Sequence, residues 1–333
     1  MLVSPVGDDA FGRLLMEETA QLGMRLDGFI QSDQRTAVCN MVLDSAGGLV
    51  SGVADMDITA AIISHIRKHQ PQLVALDGNL SPDTIKNVVE HCVRHDIKVF
   101  FEPTSVIKST AILPAIAAAL DIRSGQAPIA FSSPNTYELA QLFSSAESFD
   151  LTSHPAWWSV IDSLALGSAF RADLEQLARK NVSDLDPSKG TLSFLVQQGV
   201  AQMAVKLLPF FQHLVIKCGE QGVVVAMRIS EPEALGSPWA VKDSQPSQRF
   251  IVARGNSKEV VILQHFPPHT IGDVVNVTGA GDSFVGALLA NLLQYPDAFH
   301  HPTKLNDAMC AAQNAAILSL QSHRAVSPLL SSA

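Results

Sequence analysis

The run Asn276-Val277-Thr278-Gly279-Ala280-Gly281-Asp282-Ser283-Phe284-Val285-Gly286 carries the residue types with the most chemistry in this chain. Small residues precede an acid, and an apolar helical stretch follows. Small residues at a helix N-terminus leave backbone N–H groups bare and aimed at one spot, which suits a phosphate or a developing negative charge. A carboxylate fixed beside such a cradle can take the proton of an attacking hydroxyl. Asp282 with Gly279, Ala280 and Gly281 is therefore the minimal equipment for phosphoryl transfer. The same residues also describe a glycine-rich turn whose acid merely caps the helix, and spacing alone leaves both open. A second run, Leu214 to Val225, reads as two strands joined by a tight turn at Gly219-Glu220-Gln221-Gly222. Cys39, Cys92, Cys218 and Cys310 show no CxxC pair and no metal-ligand spacing. They read as buried free thiols of a reducing compartment.

These groups need a scaffold, and the hydrophobic pattern supplies one. Phe11, Leu14, Leu15 and Leu22 recur at helical spacing, with Gly23 as a stop. Thr36 to Leu43 and Leu49 to Val53 flank Asp44-Ser45-Ala46-Gly47-Gly48, the pattern of a hairpin with a glycine turn. Downstream, helix signals alternate with short apolar strands: a helix over 58–69, the strand Leu73-Val74-Ala75-Leu76-Asp77, a helix capped by Ser81-Pro82-Asp83, and the strand Lys98-Val99-Phe100-Phe101-Glu102. Continuously apolar strands at this spacing predict β-α units around a parallel sheet. Two segments break the rhythm. Residues 144–192 carry Trp157-Trp158 and a charged helical stretch, and residues 230–258, rich in Pro, Ser and Gln, read as a surface excursion.

Composition narrows the class. The 333 residues include 47% hydrophobic and 17% charged types, a globular balance with chain enough for a sizeable core. Lys+Arg 23 against Asp+Glu 32 gives a net charge of −9, which argues against nucleic acid or an anionic membrane as the main partner. No apolar run approaches the roughly 20 residues of a membrane-spanning helix. The opening residues lack the basic and apolar regions of a signal peptide. A cytoplasmic enzyme is the expectation.

Taken together, these pieces resemble the ribokinase-like (PfkB-type) sugar and nucleoside kinases. The run from Thr278 to Asp282 is similar to that family's C-terminal signature, which implies Asp282 as catalytic base and Gly279–Gly281 as anion hole. Asn135-Thr136-Tyr137-Glu138 resembles the NxxE motif, implying that Asn135 and Glu138 help place Mg²⁺ and the ATP phosphates. Lys217-Cys218-Gly219-Glu220-Gln221-Gly222 resembles the nucleotide-binding GxxG turn, which implicates Lys217, Gly219, Gly222 and Thr278 in holding ATP. Gln313 and Asn314 fall on a small-residue segment similar to the helix over the adenine. Residues 322–327 resemble a loop of the monovalent-cation (K⁺) site, although Asn276 stands where that family usually has an acid.

Finer likeness points to the pseudouridine kinase subgroup: residues 37–58, the run from Leu76 to Ser81 and the run from Phe100 to Val106. It implies a lid hairpin at about 36–58, Asn79 near the acceptor nucleoside, and transfer to the 5'-hydroxyl of pseudouridine. A homodimer through the lid and a pseudouridine-5'-phosphate glycosidase partner or fusion are further implications. So is a three-layer α/β/α domain over residues 1–333. Val6-Gly7-Asp8-Asp9-Ala10-Phe11-Gly12 resembles an element that in the family follows a first strand and a GGxxxN substrate segment. The expectation is an N-terminally truncated kinase domain, poorly active as it stands. Another sugar or nucleoside as acceptor, or a nucleotide-binding remnant without turnover, are the rival readings.

Overall fold

The computed structural model describes all residues except 1, 44–48, 56–61, 123–124, 165, 232, 257 and 333, and side chains within 38–55 and at 62, 64–65 and 331–332 are likewise outside the description. In chain order the elements open with β1 (Ser4–Gly7), α1 (Ala10–Gln21), β2 (Phe29–Ser32), β3 (Val38–Leu43), β4 (Leu49–Asp55) and α2 (Ile62–His69). The β-α units follow: β5 (Leu73–Asp77), α3 (Pro82–Arg94), β6 (Lys98–Glu102), α4 (Leu113–Ala119), β7 (Ile129–Ser132) and α5 (Thr136–Ser148). Next come α6 (Pro155–Ser163), α7 (Ser168–Ala178), α8 (Phe194–Gln197), α9 (Val200–Leu207), β8 (Phe211–Lys217) and β9 (Val223–Ile229). The chain closes with α10 (Glu233–Gly236), β10 (Phe250–Arg254), β11 (Val260–Phe266), α11 (Ala280–Gln294) and α12 (Pro302–Leu320).

Seven strands form the main sheet in the order β10-β11-β9-β8-β7-β6-β5. From β5 to β8 the pairs are parallel, and from β8 onward they are antiparallel. The inner parallel strands β6, β7 and β8 are buried on both faces, so their sequences read as apolar runs, whereas the edge strand β5 is only partly covered. In β6, Val99 and Phe101 enter one core while Phe100, between them, enters the other. The first core packs α3 to α9 on one face, and the second packs α11 and α12 on the other. The helices form where their sequences direct. Ser81 caps α3 by accepting from Thr84 N at 3.2 Å, Pro82 opens its first turn, and Ile85, Val88, Val89, Cys92 and Val93 form one buried stripe. This is the mainly parallel, helix-flanked sheet that the sequence predicts.

The expected hairpin is present as the antiparallel pair β3–β4, registered from Val38 opposite Asp55 to Leu43 opposite Leu49. Its turn at 44–48, and the start of the helix expected over 58–69, lie outside the described residues. At the N-terminal end, β1 pairs in parallel with β2 in a separate two-stranded sheet. Asp9 caps α1 by accepting from Gly12 N at 2.7 Å, and its carboxylate also receives Thr36 N and Thr36 Oγ1 at 2.8 Å each. These donors, the Gly12 N–H foremost, hold the Asp9 carboxyl down to about 2.

Two expectations need correction, and a third is met with an exposed face. Residues 230–258 are more than a surface excursion, because Trp239 is buried and β10 extends the main sheet. The helix expected from Phe11, Leu14 and Leu15 is present as α1, with those positions facing solvent. Cys92 and Cys218 are buried free thiols, whereas Cys310 is only half-buried.

Candidate active site

The parallel strands end at one edge of the sheet, and open α/β sheets gather functional groups at those carboxyl ends. Here Asp77 ends β5, Glu102 ends β6, Ser132 and Ser133 end β7, and Lys217 ends β8. Lys217 N donates to Pro134 O at 2.8 Å, so the ladder between β7 and β8 runs on to the Asn135–Lys217 bridge. That continuation brings the NxxE and GxxG elements side by side.

Lys217 is the hub. Its ammonium lies 2.8 Å from Glu102 Oε1, with both side chains largely buried. The other Glu102 oxygen accepts a hydrogen bond from Ser133 Oγ. Burial pushes the Glu102 carboxyl up, and the Lys217 charge opposes that push. On the far side, a Cβ added to Gly281 would stand 3.9 Å from Lys217 Nζ. The ammonium therefore lies beside the start of α11.

That helix start is bare. Gly279 occupies the N-cap position at φ +79°, and no side chain caps the helix. The first N–H groups of a helix have no partner within it, so those at 280–282 remain available to an anion. Gly279 cannot be replaced by anything larger, since a Cβ there would come within 1.8 Å of Ala325 O. Asp282, in the first turn, is exposed. Thr278 N is tied to Asn276 Oδ1 at 2.9 Å, while the N–H groups of Val275 and Asn276 donate to Leu320 O at 2.8 and 3.1 Å.

Asn135 and Glu138 form a capping box on α5. Asn135 Oδ1 accepts from Tyr137 N and Glu138 N at 2.9 Å each, and Glu138 Oε2 accepts from Asn135 N at 2.8 Å. Glu138 is buried, and its charge is felt at Glu102. Among the described residues no group of three or more His, Cys, Asp or Glu could cage a metal ion. Mg²⁺ needs no such cage: it keeps several waters and takes one or two carboxylates plus substrate phosphates. One carboxylate oxygen of Glu138 lies outside the capping box, and the donor set fits that mode.

The GxxG turn is steric in origin at Gly222, where φ is +85° and a Cβ would come within 2.2 Å of Phe266 O. Gly219 also has positive φ, in open space. A buried histidine that the sequence reading missed pins this turn: His265 donates from Nε2 to Gln221 O at 2.7 Å. Its Nδ1 accepts from Arg249 Nη1 at 3.2 Å, and Arg249 is anchored on Asp184 at 2.8 Å. Burial holds His265 neutral by pushing its pKa down to about 4. On α12, Gln313 is buried, while Asn314 Oδ1 lies 2.7 Å from His269 Nδ1 in the loop before α11.

Asn79 stands apart from this group, at the end of β5. Its N and Nδ2 donate to Asp77 at 3.0 and 2.8 Å, and Lys108 Nζ donates to its Oδ1. Glu102, Ser133, Lys108, Asp77 and His269 had no assigned role from sequence. The signal available for two of them was an acid closing an apolar strand, in Leu73–Asp77 and Lys98–Glu102.

Residues 240–332 match the pfkB family of carbohydrate kinases. The chain is 28% identical over 289 residues to the pseudouridine-metabolizing bifunctional protein of Schizosaccharomyces pombe, covering 86% of this chain and 34% of that protein. It is 25% identical over 118 residues to the pseudouridine kinase of Escherichia coli, covering 33% of this chain and 37% of that protein. It thus spans about a third of the length of these curated relatives. The fold is similar to that of ribokinase from Giardia lamblia, with a TM-score of 0.57 at 14% identity over 97% of this chain and 77% of that one.

Proposed function

We propose that this chain uses ATP to phosphorylate the 5'-hydroxyl of pseudouridine. The observation that carries the reading is the uncapped start of α11, which sets an exposed Asp282 beside bare N–H groups and the Lys217 ammonium. Asp282 takes the proton of the acceptor hydroxyl as its oxygen attacks the γ-phosphorus. The N–H groups at Gly279, Ala280 and Gly281 meet the charge that develops on the phosphoryl oxygens, and Lys217 adds a full positive charge. Thr278 and the Gly219–Gly222 turn border the bound nucleotide, with Gln313 and Asn314 toward its base. Glu138, with Asn135 alongside, would hold Mg²⁺, which would supply neutralising charge to the phosphates. Asn79, oriented by Asp77 and Lys108, meets the acceptor. Closure of the β3–β4 hairpin excludes water.

The acceptor identity is supported by the likeness to the two pseudouridine-named relatives. Dimerisation through the hairpin, a glycosidase partner and K⁺ at the loop near Asn276 belong to the same proposal. A coupled assay with pseudouridine, uridine, ribose and fructose tests it, and the expected result is turnover preferring pseudouridine. Preference for ribose or fructose would overturn the acceptor while leaving the kinase.

A second reading, nucleotide binding without turnover, is favoured by the open acceptor side. There β5 is the edge strand of the main sheet, and Ala75 within it is exposed. ATP binding with no transfer to any of the four acceptors would select that reading.

A further inference from the structure

Two buried titratable side chains, His265 and Arg249, take no part in the proposed transfer. They stand opposite one another, one position beyond the Phe250–Gln264 pair of β10 and β11, and His265 N donates to Arg249 O at 2.9 Å. The imidazole is fixed at both ends. Gln221 O can only accept, so Nε2 carries the proton; Arg249 Nη1 can only donate, so Nδ1 offers its lone pair. Burial keeps the ring neutral, as this arrangement requires.

Arg249 is held harder still. Nη1 also donates to Asn181 O at 2.7 Å and Nη2 to Asp184 Oδ1 at 2.8 Å, both in the loop after α7. Its backbone sits at φ +68°, in the left-handed region that an arginine enters only at a cost. A strained backbone and a desolvated guanidinium are two penalties at one residue. Filling space calls for neither, since an apolar side chain does that without them. What the pair delivers is one N–H to one carbonyl of the Gly219–Gly222 turn. The turn's own bonds run from Gln221 N to Cys218 O, from Gly222 N to Gly219 O and from Cys218 N to Gly222 O. None of these uses Gln221 O, which is left to His265.

We propose that His265 and Arg249 are positioning residues for the nucleotide: by holding Gln221 O, they set the Gly219–Gly222 turn in the shape that binds ATP. This rests on the reading of that turn as a border of the nucleotide. Neither side chain touches ATP or the acceptor; Arg249 orients His265, and His265 orients the turn.

Binding of a fluorescent ATP analogue to the full chain, read without turnover, tests the proposal. His265→Leu removes both ring contacts and should weaken binding by about tenfold, the worth of one hydrogen bond. His265→Gln, which can return an amide N–H to Gln221 O, should bring affinity back to within about threefold of the parent. Arg249→Lys keeps the charge but loses the planar fork that serves Asn181, Asp184 and His265 together, and should weaken binding by about threefold. Added to His265→Leu it should cost nothing further, since both act through one carbonyl. A lowered melting temperature with unchanged affinity in His265→Leu would assign the pair to packing alone and overturn the proposal, as would additive effects of the two substitutions. If His265→Leu fails to fold, Arg249→Lys decides, and an affinity equal to the parent's overturns the proposal. A parent that does not bind the analogue overturns the nucleotide reading of the turn and this proposal with it. A parent that binds, with variants that match it, overturns this proposal alone.

Discussion

Replacing Lys217 by Met strands the Glu102 carboxylate among largely buried groups, beside Glu138 and with only Ser133 as donor. Breaking a buried pair from one side costs about 3–5 kcal/mol when the remaining charge has no escape. Glu102 does have one, because it can take up a proton. From an ordinary value of 4.5, protonation at pH 7 costs about 3 kcal/mol at 1.36 kcal/mol per unit. Burial has already raised this group, so the escape is easier than that, and the loss is capped at about 3 kcal/mol. Urea unfolding at pH 7 measures it. The difference between variant and parent should shrink as pH falls toward 5, because protonation removes the stranded charge. Adding Glu102→Gln to Lys217→Met should recover all but about 1 kcal/mol, since neither charge is then left alone. Nucleotide affinity, followed with a fluorescent ATP analogue, should stay low in the double variant. Recovery of that affinity would refute a phosphate-facing Lys217, and a Lys217→Met loss under about 0.5 kcal/mol would refute the desolvated pair.

Four further outcomes are expected. Asp282→Asn should lower turnover by on the order of 10²–10⁴ with nucleotide affinity within a few-fold, as steady-state and binding measurements would show. Glu138→Gln should raise the Mg²⁺ concentration for half-maximal rate and, by weakening the α5 capping box, cost about 1 kcal/mol in chemical unfolding. Gly222→Ala, forced to positive φ against Phe266 O, should destabilise by about 2 kcal/mol or more, read as a lowered melting temperature. Because His265 protonates only near 4 when folded but near 6.5 when unfolded, stability should fall as pH drops through that window, by about 3 kcal/mol in all. His265→Gln should flatten that slope, and a slope equal to the parent's would place the acid sensitivity elsewhere.

The sheet was legible because its strands are covered on both faces. Val99-Phe100-Phe101 and Leu214-Val215-Ile216 could be read as strands from composition alone. Phe29–Ser32 could not, being short and half polar. Phe250–Arg254 hid behind the Pro- and Ser-rich residues that lead to it. For α1, spacing identified the helix correctly, but periodicity reports which positions share a face and not what covers that face. In the site, Asp282 and the glycines before it were legible as a local motif. Glu102, Ser133 and His265 were not, because each acts on a partner 31 to 115 positions away, and no spacing rule spans such distances.

The close approach of Gly279 to the Ala325 carbonyl separates two pressures acting on one short motif. Gly279 is demanded by shape: any side chain there collides with the backbone, whether or not phosphate is ever transferred. Asp282 is exposed at the helix start, so packing tolerates many substitutes, and only the chemistry of the proposed function would demand an acid. In a lineage that abandoned catalysis, the glycine should persist while the aspartate drifts. A descendant holding the first without the second would be a fold kept for binding after its reaction had been lost.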